Sequence, residues 1–176
     1  MKFLIIVDCQ NDFIDGALGT PEALDMIPRL EKKLELLDNE TPVIFTRDTH
    51  YEDYEITLEG KKLPIRHCIW NTEGWNIPES LTKFFNNSPV VVDKPTFGSF
   101  DLIDTIEHFV ECLSDIEEIE LVGLVSDICV ISNAILLKAA FPETVIKVDK
   151  NCCAGSNITK HEEAFSVMES CQIEIV

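Results

Sequence analysis

Three side chains of this 176-residue chain have the types and placements needed for attack on a carbonyl carbon. Cys129 ends the stretch Gly123-Leu124-Val125-Ser126-Asp127-Ile128-Cys129, which follows an apolar run and turns into an apolar helical segment. A thiol near a helix N-terminus meets free N–H groups and the positive end of the macrodipole, both of which lower its pKa. Lys94 follows a second apolar run and favours a thiolate by direct charge attraction. Asp8 follows a third and is a carboxylate able to take a proton and later return it to a leaving group. The backbone N–H groups of the turn before Cys129 suit an oxyanion. Taken singly, each residue also has a bland reading, since an aspartate after a strand is often only a turn or a cap. Cys112, Cys152, Cys153 and Cys171 read as small buried hydrophobes, and Cys9 as pointing away from the crevice.

A second group lies in the segment from Asp48 to about Pro78. Asp48-Thr49-His50 puts two metal-ligand types two residues apart, so that an extended chain turns both toward one cavity. His67 returns later, with Glu52, Asp53, Glu55 and Glu59 between. Two histidines with carboxylates suit Zn²⁺, Mn²⁺ or Fe²⁺. The spacing alone fits a polar surface loop equally well. His108 and His161 fall in helical segments without a partner at ligand spacing and read as solvated or structural.

The elements that must position these groups alternate along the chain. Phe3 to Val7 is a short continuous apolar run, as expected of a strand covered on both faces. Thr20-Pro21-Glu22 has the form of an N-cap, a first-turn proline and an acidic first turn, and Leu24, Ile27, Leu30, Leu34 and Leu37 continue it as a helix. Further strands are expected at Val43–Phe45, Pro89–Val92, Ile119–Leu124, Thr144–Val148 and Cys171–Val176. Helices are expected from Ser99 through Val110, from Asp127 to Phe141, and from a Thr159 cap to about Ser170. Such alternation predicts right-handed crossovers and a doubly wound α/β/α sandwich around a mostly parallel six-stranded sheet, in one domain spanning 1–176. Ligands of such sheets bind beyond the carboxyl ends of the strands, near the switch in strand order. Asp8, Asp48, Lys94 and the Cys129 turn all belong at that edge.

Composition bounds the partners. Hydrophobic residues are 45% and charged residues 26%, as in an ordinary globular domain. With 14 Lys and Arg against 32 Asp and Glu, the net charge of −18 argues against nucleic acid and against an anionic membrane surface. The run Phe3–Val7 is too short for a signal peptide, and no apolar stretch approaches the roughly 20 residues of a membrane span. Seven scattered cysteines do not form a disulfide framework, so a cytoplasmic protein with reduced thiols is expected.

The residues together resemble the isochorismatase-like cysteine hydrolases, a family that includes the nicotinamidases. The resemblance rests on Asp8-Cys9-Gln10-Asn11-Asp12-Phe13, Asp48-Thr49-His50, His67-Cys68, Lys94 with Phe97-Gly98-Ser99-Phe100, and Gly123 through Cys129-Val130, in order along nearly the whole chain. It implies a catalytic triad of Asp8, Lys94 and Cys129 and a non-proline cis peptide at Val125-Ser126. It also implies an oxyanion hole from the N–H groups of Val125 and Cys129. It implies one divalent metal, zinc first with manganese or iron as alternatives, on Asp48, His50 and His67, with Glu59 ahead of Glu55 as the further ligand. In the family the metal anchors the ring nitrogen of the substrate. Self-association into homo-oligomers is expected on the same ground.

Two departures fall in the pocket. Where many nicotinamidases carry Trp-Pro-x-His, this chain reads Leu63-Pro64-Ile65-Arg66-His67, leaving Phe13, Trp70 or Trp75 to supply the aromatic wall. The family's Gly-Thr after His-Cys appears here as Asn71-Thr72. The reading is therefore a cysteine hydrolase of a small carboxamide, nicotinamide first. Its rivals are an isochorismatase-type or N-carbamoyl amidase without metal, and an inactive scaffold that binds a small molecule.

Overall fold

The computed structural model describes residues 1–84 and 90–176. Six parallel strands form one sheet in the order β3-β2-β1-β4-β5-β6. They are β1 (Lys2–Val7), β2 (Val43–Asp48), β3 (Val90–Lys94), β4 (Glu118–Leu124), β5 (Val145–Ala154) and β6 (Glu174–Ile175). The order grows one way from β1 through β2 and β3 and the other way through β4, β5 and β6. The switch in strand order therefore lies between β1 and β4.

Side-chain alternation divides the core in two. Phe3, Ile5 and Val7 of β1 join Ile119 and Leu121 of β4 on one face. That face packs on α5 (Phe100–Glu107), α6 (Ile131–Ala140) and α7 (Ile158–Ser170). Leu4 and Ile6 face the other way with Val122 and Leu124, against α1 (Asn11–Ile14), α2 (Pro21–Leu36) and α4 (Glu79–Thr82), while the short α3 (Leu58–Lys62) belongs to the segment after β2. β1 is buried on both sides from Phe3 to Val7, which explains its unbroken apolar run, whereas Glu118 and Glu120 of β4 and Lys147 and Asp149 of β5 alternate with buried apolar residues. The sheet is wholly parallel.

Several boundaries differ from expectation. β2 and β3 run on to Asp48 and Lys94, because backbone pairing continues through polar residues: Asp48 lies opposite Lys94. The strand expected to begin at Pro89 begins at Val90 among the described residues, and Pro89 itself lies outside them. β5 extends past Val148 to Ala154, with a register shift against β4 between Leu121 and Gly123. α7 is capped by Asn157, whose side chain accepts from the Lys160 N–H at 3.0 Å, and not by Thr159. The last strand is only Glu174–Ile175, since Cys171 still caps α7 and Gln172 (φ +63°) turns the chain first. Cys112 and Cys171 are exposed, contrary to the expectation of buried small hydrophobes, because both sit at element ends and not on an inward face. Cys152 and Cys153 are buried as expected.

Gly123 is where backbone approach becomes limiting. Its φ is +118°, and a Cβ there would stand 2.1 Å from the Val7 carbonyl oxygen. The absence of a side chain lets β4 run against β1 at the strand end that leads into the cysteine turn. No helix among the described residues is long and apolar enough to cross a membrane.

Candidate active site

The carboxyl ends of four neighbouring strands supply the site. Lys94 closes β3, Asp48 closes β2, Asp8 follows β1, and Cys129 lies five residues beyond the end of β4. Lys94 and Asp8 are fully buried. The Lys94 ammonium stands 2.6 Å from Asp8 Oδ2, 3.6 Å from Cys129 Sγ and 3.7 Å from Asp48 Oδ1, and donates to the Thr96 carbonyl at 3.0 Å. The three residues singled out from sequence therefore meet at one point.

The carboxyl group of Asp8 is aimed by its neighbours. Its backbone is left-handed (φ +47°), a conformation that aspartate tolerates better than most residues. The Asp8 N–H donates to the Thr46 carbonyl and to Thr46 Oγ1, and the Thr46 hydroxyl donates back to Asp8 Oδ1 at 2.6 Å. That leaves Oδ2 for the lysine, in an ion pair off the ideal hydrogen-bond direction. Gln10, also fully buried, joins β1 to β2 and to the long loop. Its amide donates to the Asp48 and Trp75 carbonyls at 2.9 Å, and its Oε1 accepts from the Asp48 N–H at 2.7 Å. Thr46 and Gln10 were not distinguished by sequence reasoning as positioning groups. Their signal was a polar residue inside, or just past, an otherwise apolar strand.

Cys129 is set by a widened turn. Residues Ser126–Val130 form a π-helical turn, in which the Val125 carbonyl accepts from the N–H groups of Ile128 and Val130 at 3.1 Å each. α6 begins only at Ile131, so the helix expected from Asp127 is really two pieces. Asn133 braces the turn: its amide donates to the Cys129 carbonyl at 2.8 Å and its Oδ1 accepts from the Ser99 N–H. The cis peptide falls at Leu124–Val125, one bond earlier than Val125-Ser126. β4 pairs with β5 up to Leu124, so the chain leaves the sheet at that bond.

The electrostatics run against the lowered thiol pKa expected from the helix terminus. Burial pushes the Cys129 thiol well above its ordinary value and the Asp8 charge adds to this, while Lys94 opposes without prevailing. The net push on the thiol is upward, opposite to the lowering expected from the helix terminus. Burial also raises the Asp8 carboxyl, against the pull of Lys94, and Asp48 raises it further. For Lys94, burial would lower the ammonium, but Asp8, Cys129 and Asp48 outweigh it and keep the lysine charged.

A metal-competent cluster adjoins the triad. One ligand atom from each of Asp48, His50, Glu59 and His67 lies within 4.8 Å of all the others. His67 Nδ1 lies 2.8 Å from the Ile65 carbonyl, which acts as acceptor and so leaves the Nε2 lone pair free. That Nε2 faces Asp48 Oδ2 at 3.4 Å and Glu59 Oε1 at 3.8 Å. His50 Nε2 is 2.9 Å from Asp48 Oδ2 but without hydrogen-bond geometry, which makes it an orphaned buried nitrogen. Two imidazole nitrogens and two carboxylates converging without satisfying one another fit a borderline divalent ion. Burial would raise the Asp48 carboxyl, yet His50, His67 and Lys94 together hold it below the usual carboxylate range. Glu55 instead faces outward, 3.8 Å from Arg66. Tyr54 packs its ring on both histidines and donates its hydroxyl to the Leu63 carbonyl, fixing the loop around them.

A cavity of about 450 Å³ opens over Cys129, Asp48, Glu59 and His67. Its walls are apolar: Phe13, Leu18, Leu58, Leu63, Phe97 and Ile128 are among them. Phe13 is among the residues that line it. Trp70 does not line the cavity and is 55% exposed, because its backbone continues the bridge between His50 and Ile69 and turns the indole to solvent. Trp75 lies behind the site, donating to Thr49 Oγ1 and stacking under Arg47.

Comparison with known proteins identifies the family and the fold. The isochorismatase domain matches residues 2–176, and the chain belongs to that family. Among solved structures, a nicotinamidase/pyrazinamidase from Bacillus subtilis is 25% identical over 99% of this chain and 98% of that one, with a TM-score of 0.83. A pyrazinamidase from Pyrococcus horikoshii in complex with zinc is 23% identical over 99% and 98%, with a TM-score of 0.79. An N-carbamoylsarcosine amidase from Thermoplasma acidophilum is 23% identical over 99% and 94%, with a TM-score of 0.78. No curated protein sequence matches.

Proposed function

We propose that this chain is a cysteine amide hydrolase that converts a small carboxamide, nicotinamide first, to its carboxylic acid and ammonia. The observation that carries this reading is the Lys94 ammonium set 2.6 Å from Asp8 and 3.6 Å from Cys129 at the base of an apolar cavity. In the mechanism, Asp8 takes the thiol proton as Cys129 Sγ bonds to the amide carbon, so that charge forms on sulfur only as it is consumed. The Val125 and Cys129 N–H groups receive the developing oxyanion. Asp8 returns the proton to the amide nitrogen, the carbon–nitrogen bond breaks and ammonia leaves a thioester. Asp8 then deprotonates a water that attacks the thioester carbon, and the thiol departs with the proton. Lys94 keeps the sulfur and the carboxylate oriented throughout.

Asp48, His50, Glu59 and His67 would hold one divalent ion, zinc first with manganese or iron as alternatives. A bound ion would supply a Lewis-acidic anchor for a ring nitrogen of the substrate. A second reading, an N-carbamoyl amidase, draws on Leu18, Leu58 and Leu63, the aliphatic part of a wall that also holds Phe13 and Phe97. Ammonia release from nicotinamide, pyrazinamide and N-carbamoyl amino acids separates the two. Cys129→Ala should abolish release from whichever compound reacts while leaving the melting temperature unchanged within a few degrees. Turnover persisting in that variant removes the mechanism.

A further inference from the structure

The turn that carries Cys129 is gripped from the face away from the substrate. Ser126, three residues before the cysteine, is fully buried, and its hydroxyl shares a hydrogen bond of 2.8 Å with His161 Nδ1 on the first turns of α7. The next residue is held from the same side: Ser156 donates to the Asp127 carboxylate through its N–H and its hydroxyl, both at 2.7 Å. The His161 ring is itself fixed, edge-on to buried Phe165 at 4.5 Å between centroids. Gly155 leaves the slot this pair occupies. A Cβ there would stand 2.7 Å from His161 Cβ and 3.0 Å from Ser126 Oγ. On its other side His161 borders a separate cavity of about 230 Å³, shared with Glu22, Asp25 and Arg29 of α2.

We infer that Ser126 and His161 form a positioning pair that holds the cysteine turn, so that Cys129 Sγ and the Val125 N–H stay in register with Asp8. The inference rests on the proposed role of Cys129 as nucleophile. The physical argument is one of leverage. The widened turn is tied at its cysteine by Asn133, which holds the Cys129 carbonyl, and by Lys94 at Sγ. At its start the ties are Ser126–His161 and Ser156–Asp127, and loss of the first leaves Ser126 free to turn about the anchor of its neighbour. A side-chain bond from a helix seated in the core removes that freedom. Displacement of a reacting atom by an ångström is enough to cost up to about a hundredfold in rate. Neither residue touches the substrate cavity, so the pair acts through geometry alone.

The test compares the wild type with Ser126→Ala, His161→Leu, His161→Asn and the double variant Ser126→Ala/His161→Leu. Two readouts are taken, the rate of Cys129 alkylation by iodoacetamide and steady-state turnover of the reactive amide. Ser126→Ala and His161→Leu should each slow alkylation and lower kcat roughly tenfold with KM within about twofold. The double variant should be no worse than either single one, because both remove the same bond. His161→Asn, which retains a hydrogen-bonding group near the Nδ1 position, should recover most of the rate. Losses that multiply in the double variant, or single variants within about twofold of wild type in both readouts, overturn the pair. If the wild type hydrolyses none of the amides, the proposed function fails, and the alkylation comparison still decides for or against the pair.

Discussion

At the scale of single residues the site is a problem of charge. Asp8, Asp48 and Lys94 are buried together, two carboxylates to one ammonium, and a thiolate would be a third anion within reach of one cation. Burial and the Asp8 charge push the Cys129 thiol upward, and burial raises Asp8 as well, which suits the carboxylate to accept a proton. The sign for activity follows. Asp8 must be ionised to act, so activity should fall as pH is lowered through a value above the ordinary carboxylate range, measurable as the acid limb of kcat/KM. Asp8→Asn should remove roughly 10²- to 10⁴-fold in kcat, the usual contribution of a placed acid/base. Lys94→Met should do more than impair turnover. It leaves two buried carboxylates without their cation and should destabilise the fold by roughly 3 kcal/mol in urea unfolding, whereas Cys129→Ala should not. Equal stability of the two variants would contradict this account of the lysine.

At the scale of elements, the strands place the chemistry and the loops finish it. Gly123 shows how little tolerance the first part has. Gly123→Ala sets a Cβ against the Val7 carbonyl at a backbone angle unsuited to alanine, and should cost about 3 kcal/mol or prevent soluble folding. The segment after β2 depends on a different kind of order. Gln10 and Asp12 tie it to the start of the chain, the latter by accepting the Cys68 N–H at 2.7 Å. Asp48, His50, Glu59 and His67 close it on themselves. A ligand that binds only the folded state raises stability by mass action, so adding zinc to chelator-treated protein should raise its melting temperature. The rise should vanish in His50→Ala and in His67→Ala. An equal rise in those variants would place the ion elsewhere.

At the scale of the whole molecule, a net charge of −18 makes the compact state repel itself. Salt shortens the reach of that repulsion to about 10 Å at 0.1 M, so the melting temperature should rise between low salt and 0.1 M sodium chloride. Some ion pairs work against the general repulsion. Lys33 on α2 bridges Glu120 of β4 and Asp149 of β5 at 2.8 and 2.9 Å, all three largely shielded. Burial would raise the Asp149 carboxyl, but Lys33 and the Asn151 N–H hold it below its ordinary value. A lowered folded pKa means that this stability is present above the unfolded value of about 4 and is lost as pH falls through the folded one. Wild type should therefore lose more stability than Lys33→Met between pH 5 and pH 3, read as the change in urea midpoint.

The alternation of apolar runs and helical segments was sufficient to read a parallel sheet, because strands covered on both faces need no polar side. The residue types at the strand ends were sufficient to propose Asp8, Lys94 and Cys129, because an open parallel sheet has one edge where ligands bind. Short-range order also explains the Thr20 cap, whose side chain accepts from the Ala23 N–H. What sequence left open depends on contacts between distant segments. The upward push on the Cys129 thiol comes from burial among groups contributed by four strands, against the lowering expected of the nearby helix terminus. Glu59 turns inward and Glu55 outward, and Trp70 faces solvent, because of how a long loop folds over itself. Ser126 and His161, 35 positions apart, meet only because α7 returns across the end of β4. Chemistry and periodicity are properties of neighbours along the chain and can be read there. Desolvation and convergence belong to neighbours in space, and only the folded chain creates them.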